Sequence, residues 1–202
     1  MLKMPESLRI YDHLLWQSNA NVVIEIGALY GGSTLWFRDR LEAFSRYRST
    51  QDIKVIAVDK NLALARATLE KCDSTSIVLL EHDVVAGGLR ELIEPHLPRG
   101  ARPLIIEDSA HTFETTLAAL QQAAPLVTQG GFFVVEDCYL DGPLRSSFTD
   151  GELEYDGIKF GGMTRAMESW LSTSKGKTFE IRRDLEYYGV SGMPNGILQK
   201  VR

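Results

Sequence analysis

The sequence predicts a doubly wound α/β sheet, mostly parallel, with helices on both faces. Three observations carry that prediction. Five short runs rich in Val, Ile and Leu recur along the chain: NVVIEIG (21–27), IKVIAVD (53–59), SIVLLEHD (76–83), PLIIED (103–108) and GFFVVED (131–137). Segments of helical character separate them. The runs are almost continuously apolar rather than alternating, which marks strands buried on both faces. Strand–helix alternation of this kind builds parallel sheets, and these bind ligands at the carboxyl ends of their strands.

The elements follow in chain order. Residues 1–20 read as an N-terminal helical segment before the first strand. STLWFRDRLEAFSRY (33–47) is a helix opening at Ser33, an N-cap candidate. NLALARATLEKC (61–72) is a second, opening after Asn61. TFETTLAALQQAAPLV (112–127) carries Thr112, Thr115 and Thr116 near its start and a Leu/Ala face, and GGMTRAMESWLSTS (161–174) is the last long helix. KTFEIRRD (177–184) and GILQKVR (196–202) form a closing pair of strands. Between the fifth strand and the last helix, residues 138–162 are rich in Gly, Asp and Tyr and read as a lid over a substrate. The 202 residues form a single domain, 1–202.

Composition excludes several classes. With 44% apolar and 24% charged residues the chain buries a core without staples. A net charge of −5 argues against nucleic acid or an anionic membrane as partner, since both reward basic patches. No run reaches the ~20 apolar residues of a membrane span, and MLKMPESLRIYDHLL has no signal-peptide core. Cys72 and Cys138 make neither a disulfide framework nor a metal-ligand spacing, so a reduced, cytoplasmic protein is expected. Cys138 has no histidine at a nucleophile spacing. Neither His13, His82 nor His96 joins a constellation.

VVIEIGALYGGST (22–34) is the strongest local motif. A strand carrying Glu25 ends at Gly27, and Gly31 and Gly32 precede a helix. Glycine lets the backbone turn and approach a ligand, and the helix N-terminus offers free N–H groups. The loop is not G-x-G-x-x-G, because residue 29 is Leu. With Asp59 ending the second strand, it resembles the S-adenosylmethionine site of class I methyltransferases. Asp59 would accept from the ribose hydroxyls, and Asp83, after the third strand, would lie near the adenine. Lys60 would rim the same pocket.

Two strands end on acids. Asp108 follows the fourth, after Glu107, and Glu136 and Asp137 follow the fifth. Unpaired, three converging carboxylates would repel and raise one another's pKa. A divalent cation removes that conflict, and oxygen ligands suit Mg²⁺. A coordinated hydroxyl then loses its proton more easily. His111, three residues after Asp108, is either the base that takes this proton or a helix-start histidine bonded to its neighbours.

KMPESLRIYDHLLWQSNANVVIEIGALYGGSTLWF and IIEDSAHTFETTLAALQQAAPLVTQGGFFVVED resemble the cephalosporin hydroxylase family, with GALYGGS, DSAHT, APLV..GG and VVED as the characteristic features. That family is built on a methyltransferase fold and is related to rhamnosyl and macrolide-sugar O-methyltransferases. The resemblance implies a Rossmann-like seven-stranded sheet and an S-adenosylmethionine-dependent O-methyltransferase acting on a small hydroxylated molecule, a natural product or sugar. It implies cofactor contacts at Glu25, Gly27, Ala28, Gly31, Ser33, Asp59, Asp83 and Asp108. Mg²⁺ would be held by Asp108, Glu136 and Asp137, the layout of the catechol O-methyltransferases, whose base stands where His111 does here, so Asp108 and His111 are the catalytic candidates. About twenty residues precede the first strand, so a reduced lid or oligomerisation segment is expected there. Relatives also suggest a homo-oligomer. Two other readings remain: a hydroxylase or other oxidoreductase, and a non-catalytic cofactor-binding partner subunit.

Overall fold

A computed structural model describes residues 3–48, 52–141, 154–155, 158–186 and 191–202. Its centre is a seven-stranded sheet built from β1 (Val22–Ile26), β2 (Lys54–Asp59), β3 (Ile77–Glu81), β4 (Pro103–Glu107), β5 (Phe132–Val135), β8 (Phe179–Ile181) and β9 (Ile197–Lys200). The order across it is β3-β2-β1-β4-β5-β9-β8. The first five strands are parallel, and β9 runs antiparallel to both β5 and β8. This is the expected doubly wound sheet with its closing pair. The remaining strands, β6 (Glu154–Tyr155) and β7 (Ile158–Lys159), form a separate antiparallel hairpin within the expected lid. Residues 142–153 of that segment lie outside the described residues.

Among the described residues six α-helices accompany the strands: α1 (Pro5–Gln17), α2 (Gly32–Arg48), α3 (Ala63–Leu69), α4 (Leu89–Ile93), α5 (Phe113–Ala123) and α6 (Met163–Leu171). Side chains alternate across each strand, so every strand feeds two cores. Ile24, Ile26, Ile56, Val58, Ile105, Phe133 and Val135 pack with Leu89 and Ile93 of α4, Leu120 of α5 and Met167 and Trp170 of α6. Val23, Val55, Leu104, Ile106, Phe132 and Val134 meet Ile10, Tyr11, Leu14 and Leu15 of α1 and Phe37 and Leu41 of α2. Two covered faces explain why the strands read as continuous apolar runs. Among the described residues no helix is long and apolar enough to cross a membrane.

Element ends move for identifiable reasons. The helix expected over 112–127 starts with a capping box between Thr112 and Thr115, as its threonines suggest, but gives way to a 3-10 turn over Ala124–Leu126. Pro125 there has no N–H to continue the α ladder. The helix expected from 161 begins at Met163, because Gly161 and Gly162 hold φ of 119° and 95°. The third strand stops at Glu81, and Asp83 instead accepts from Val85 N at 3.0 Å to start a 3-10 turn. α2 opens at Gly32, one residue before Ser33. Asn61 accepts from Ala63 N at 3.0 Å, two residues outside α3.

Register accounts for the acids. Ile26 pairs with Val58 on one side and Glu107 on the other, and Glu107 pairs with Val135. The next residues, Gly27, Asp59, Asp108 and Glu136, therefore leave the sheet in one row. The ladder continues into that row through Gly27 N to Val58 O, Asp108 N to Ile26 O and Glu136 N to Glu107 O, each 2.8–2.9 Å. The row crosses the β1–β4 boundary, the switch point where the strand order reverses and ligands bind in such sheets.

Gly27 is pinned there. Its φ is 102°, and a Cβ would stand 2.0 Å from the Asp108 carbonyl oxygen. Gly27→Ala forces the β1 and β4 loops apart in addition to straining the backbone. We expect a loss of at least about 2–3 kcal/mol in denaturant unfolding. Gly130→Ala serves as control: its φ is also positive but nothing lies within 4 Å, and it should cost only the backbone strain.

Candidate active site

A cavity of about 550 Å³ opens at this row, within the size range of small-molecule sites. Gly27, Ala28, Ser33, Asp59, Asp83, Asp108, His111 and Asp137 line it, all expected from the sequence. Lys60 rims it as well. Three expected residues do not line it. Gly31 faces α3, where a Cβ would meet Ala65 at 3.4 Å. Glu25 and Glu136 are buried behind the wall for the reasons below.

Glu25 points toward α2 and accepts from Thr34 Oγ1 at 2.5 Å. Its other oxygen, Oε1, has no hydrogen-bond partner. Burial pushes its pKa up to about 7, partly offset by the Lys3 ammonium. Glu107 does the matching job on the opposite face. It accepts from Thr116 Oγ1 at 2.9 Å and from the Ser109 hydroxyl, tying the Asp108 loop to α5. Glu25 thus supports the glycine loop from beneath, tied to α2 through Thr34.

Asp59 faces the cavity, yet its carboxylate also organises the glycine loop. Oδ2 accepts from Ala28 N and Leu29 N, both at 2.9 Å, and Oδ1 from Asn61 N at 3.0 Å. A carboxylate has about four acceptor sites, so one stays open toward the cavity.

The acidic end is more crowded. His111 Nε2 lies 3.3 Å from Asp137 Oδ2 and 3.7 Å from Asp108 Oδ1, while the buried Nδ1 has no partner. Asp108, His111 and Asp137 each offer a ligand atom, all within 4.8 Å of one another. Glu136, expected as the third metal ligand, is turned elsewhere: its Oε1 accepts from Tyr11 OH and from Lys3 Nζ. Lys3 Nζ also donates to Asp108 Oδ2, at 2.7 Å in both cases, and its side chain is only 4% exposed. Burial raises the pKa of Asp108, Glu136 and Asp137 despite the attraction of Lys3, joined at Asp108 and Asp137 by that of His111. One ammonium under-compensates the cluster, which fits a site able to take a cation.

Backbone strain gathers at the same place. Among the described residues five non-glycine residues have positive φ, and two, Asn19 and Asn195, are asparagines, which like aspartate tolerate it better than other residues. The other three, Leu29 (44°), His111 (52°) and Asp137 (54°), all line the cavity. Such conformations cost roughly 1–3 kcal/mol each and persist where the surroundings hold them.

Sequence reasoning missed Lys3 and Tyr11, which act across 105 to 133 residues and leave no local pattern. It also missed Phe160, whose ring lies 6.0 Å from that of His111, and His82, which lines the cavity.

The family model described as rhamnosyl O-methyltransferase/CmcI matches residues 1–201. The chain belongs to this family. Among curated members, the rhamnosyl O-methyltransferase of Mycobacterium leprae is 28% identical over 158 residues, 76% of this chain and 64% of that protein. The rhamnosyl O-methyltransferase of Mycobacterium tuberculosis H37Rv is 27% identical over 146 residues, 71% and 57% respectively. The chain thus spans less than two thirds of these relatives. A CmcI structure with Mg and SAM superposes with TM-score 0.64 at 21% identity, covering all of this chain and 74% of CmcI. An O-methyltransferase from Bacillus cereus in complex with SAH gives 0.61 at 16% identity, covering 88% and 72%. The resemblance read from GALYGGS and DSAHT is that of the family found, and the class I methyltransferase fold stands with it.

Glu25 makes the family site pH-sensitive in a defined direction. Its folded pKa of about 7 exceeds the ordinary 4.5, so the folded state keeps a proton that the unfolded chain releases. Metal-free stability should therefore be full below pH 4.5 for this group and fall as pH rises to about 7, by on the order of 3 kcal/mol. Glu25→Gln should flatten that fall in unfolding free energies measured at pH 5 and 8 in chelator. An equal fall in the variant would assign it to other groups.

Proposed function

We propose that the chain is a Mg²⁺-dependent O-methyltransferase that uses S-adenosylmethionine to methylate a hydroxyl of a small molecule, a sugar or natural product. The observation that carries this is one cavity lined both by the glycine loop with Asp59 and by Asp108, His111 and Asp137. The rhamnosyl O-methyltransferase relatives support the reaction class, and the Mg and SAM of the CmcI structure support the cofactors. When bound, the cofactor supplies an electrophilic methyl and the cation a Lewis acid that lowers the pKa of a hydroxyl.

The chain's own residues do the rest. Asp59 fixes the Ala28–Leu29 turn and keeps one acceptor site for the ribose. Ser33, in the first turn of α2, stands where free helix N–H groups favour a carboxylate. Asp83 lines the region proposed for the adenine. Asp108 and Asp137 would hold the cation, which there would supply its Lewis acidity to a substrate oxygen. His111 Nδ1 is buried, so Nε2, 3.3 Å from Asp137 and beside the acids, is the nitrogen placed to accept the substrate proton. Phe160, whose ring lies 6.0 Å from that of His111, is placed to pack against the acceptor. A hydroxylase reading has less support, because a non-haem iron site wants two histidines and the cluster holds one.

Titration calorimetry with S-adenosylmethionine tests the cofactor half. Asp59→Ala should weaken binding roughly ten- to a hundred-fold, since a charged hydrogen bond and the loop anchor are lost together; unchanged affinity removes the ribose assignment.

Methyl transfer to a sugar hydroxyl should stop in EDTA and return with Mg²⁺. His111→Ala should lower kcat at least about a hundred-fold, while Mn²⁺ affinity stays within a few-fold. Collapse of Mn²⁺ affinity would instead make His111 a ligand.

A further inference from the structure

Lys3 raises a question that the proposed function leaves open. Its ammonium bridges Asp108 Oδ2 and Glu136 Oε1 at 2.7 Å each, and these are two of the three oxygen donors expected for a divalent cation. We propose that Lys3 is the resident counter-cation of the carboxylate cluster, which a divalent cation displaces on binding, freeing Glu136 to join Asp108 and Asp137. This rests on the metal-dependent reading above.

Charge argues for exchange rather than co-occupancy. An ammonium and a dication cannot share the same two oxygens without strong repulsion in a site this buried. Without Lys3 or a cation, Asp108, Glu136 and Asp137 would face one another uncompensated, so the metal-free fold needs the lysine. The fit is also imperfect in the expected direction. Mg²⁺ sits about 2.1 Å from its oxygens, so the carboxylates must close by about half an ångström on each side once the ammonium leaves. Tyr11 OH donates to the same Glu136 oxygen, so that carboxylate retains a hydrogen-bond donor when the ammonium leaves.

The structure lets Lys3 leave at little cost. It lies before the first turn of α1, whose N-cap Met4 makes no side-chain cap bond and whose neighbour Pro5 needs no N–H partner. No core cluster includes Lys3. Its flexible stem can carry the head to water without disturbing Ile10, Tyr11, Leu14 or Leu15, which anchor α1.

Two measurements test this on the full chain. In Mn²⁺ titrations followed by electron paramagnetic resonance, Lys3→Met should bind Mn²⁺ at least tenfold more tightly than the wild type. Lys3→Arg, which keeps the charge, should bind no more tightly than the wild type. In the wild type, acetylation of Lys3 by an N-hydroxysuccinimide ester, mapped by mass spectrometry, should be slow in EDTA and accelerate with Mg²⁺. That readout requires no variant to fold. Equal or weaker Mn²⁺ binding by Lys3→Met, equal tightening in Lys3→Arg, or labelling indifferent to Mg²⁺ overturns the exchange while leaving the metal reading intact. Failure of both wild type and Lys3→Met to bind Mn²⁺ overturns the exchange and the metal reading together.

Discussion

Asp108, Glu136 and Asp137 leave β4 and β5 at adjacent positions, and one lysine reaches back from the other end of the sequence to meet them. The sheet register makes that convergence unavoidable. Once Ile26, Val58, Glu107 and Val135 are level, the residues after them must emerge side by side. The strands are buried on both faces, so a slip would move every apolar side chain to the wrong core. Packing of the whole domain thus fixes the spacing of the charges, and the charges in turn require a cation.

The two loops that carry the site are held by the same device, used twice. A glutamate near a strand's end accepts a hydroxyl from a threonine nine residues on, in the first turns of the next helix: Glu25 from Thr34, Glu107 from Thr116. The pairs point to opposite faces of the sheet, one to α2 and one to α5. Between them Gly27 and the Asp108 carbonyl interlock, leaving no freedom for either loop alone. That rigidity holds Leu29, His111 and Asp137 in conformations they would leave if released. Distance from strand to helix, loop interlock and strained side chains form one chain of cause, running from the core to the cavity.

The sequence discloses what is local. Apolar runs, the Thr112 cap and the acids after strands four and five are patterns within ten residues, and each marks its element. Glu25 and Glu136 show the limit. Glu25 lies two residues below the row and turns to the nearby Thr34, whereas Glu136 sits at the right height but its side-chain direction depends on partners far away in sequence, Lys3 and Tyr11. A lone lysine ahead of a helix carries no signal of its own. Asp83 and the end of the third strand show a smaller version: a side chain that looks poised for a ligand also caps its own turn.

Asp141 closes the chain on itself. Its carboxylate accepts from Gly162 N and Thr164 N, both at 2.6 Å, so the stretch after β5 departs and returns through one bidentate clasp at the N-terminus of α6. Gly161 N adds a bond to the His111 carbonyl at 2.8 Å. The clasp isolates the sheet from whatever length of chain lies between its two ends. Doubling such an excursion costs only about 0.6 kcal/mol in closure entropy. Insertions and deletions can therefore accumulate between Asp141 and Gly162 while the carboxylate row stays in register, so the length of that connection is free to vary independently of the sheet.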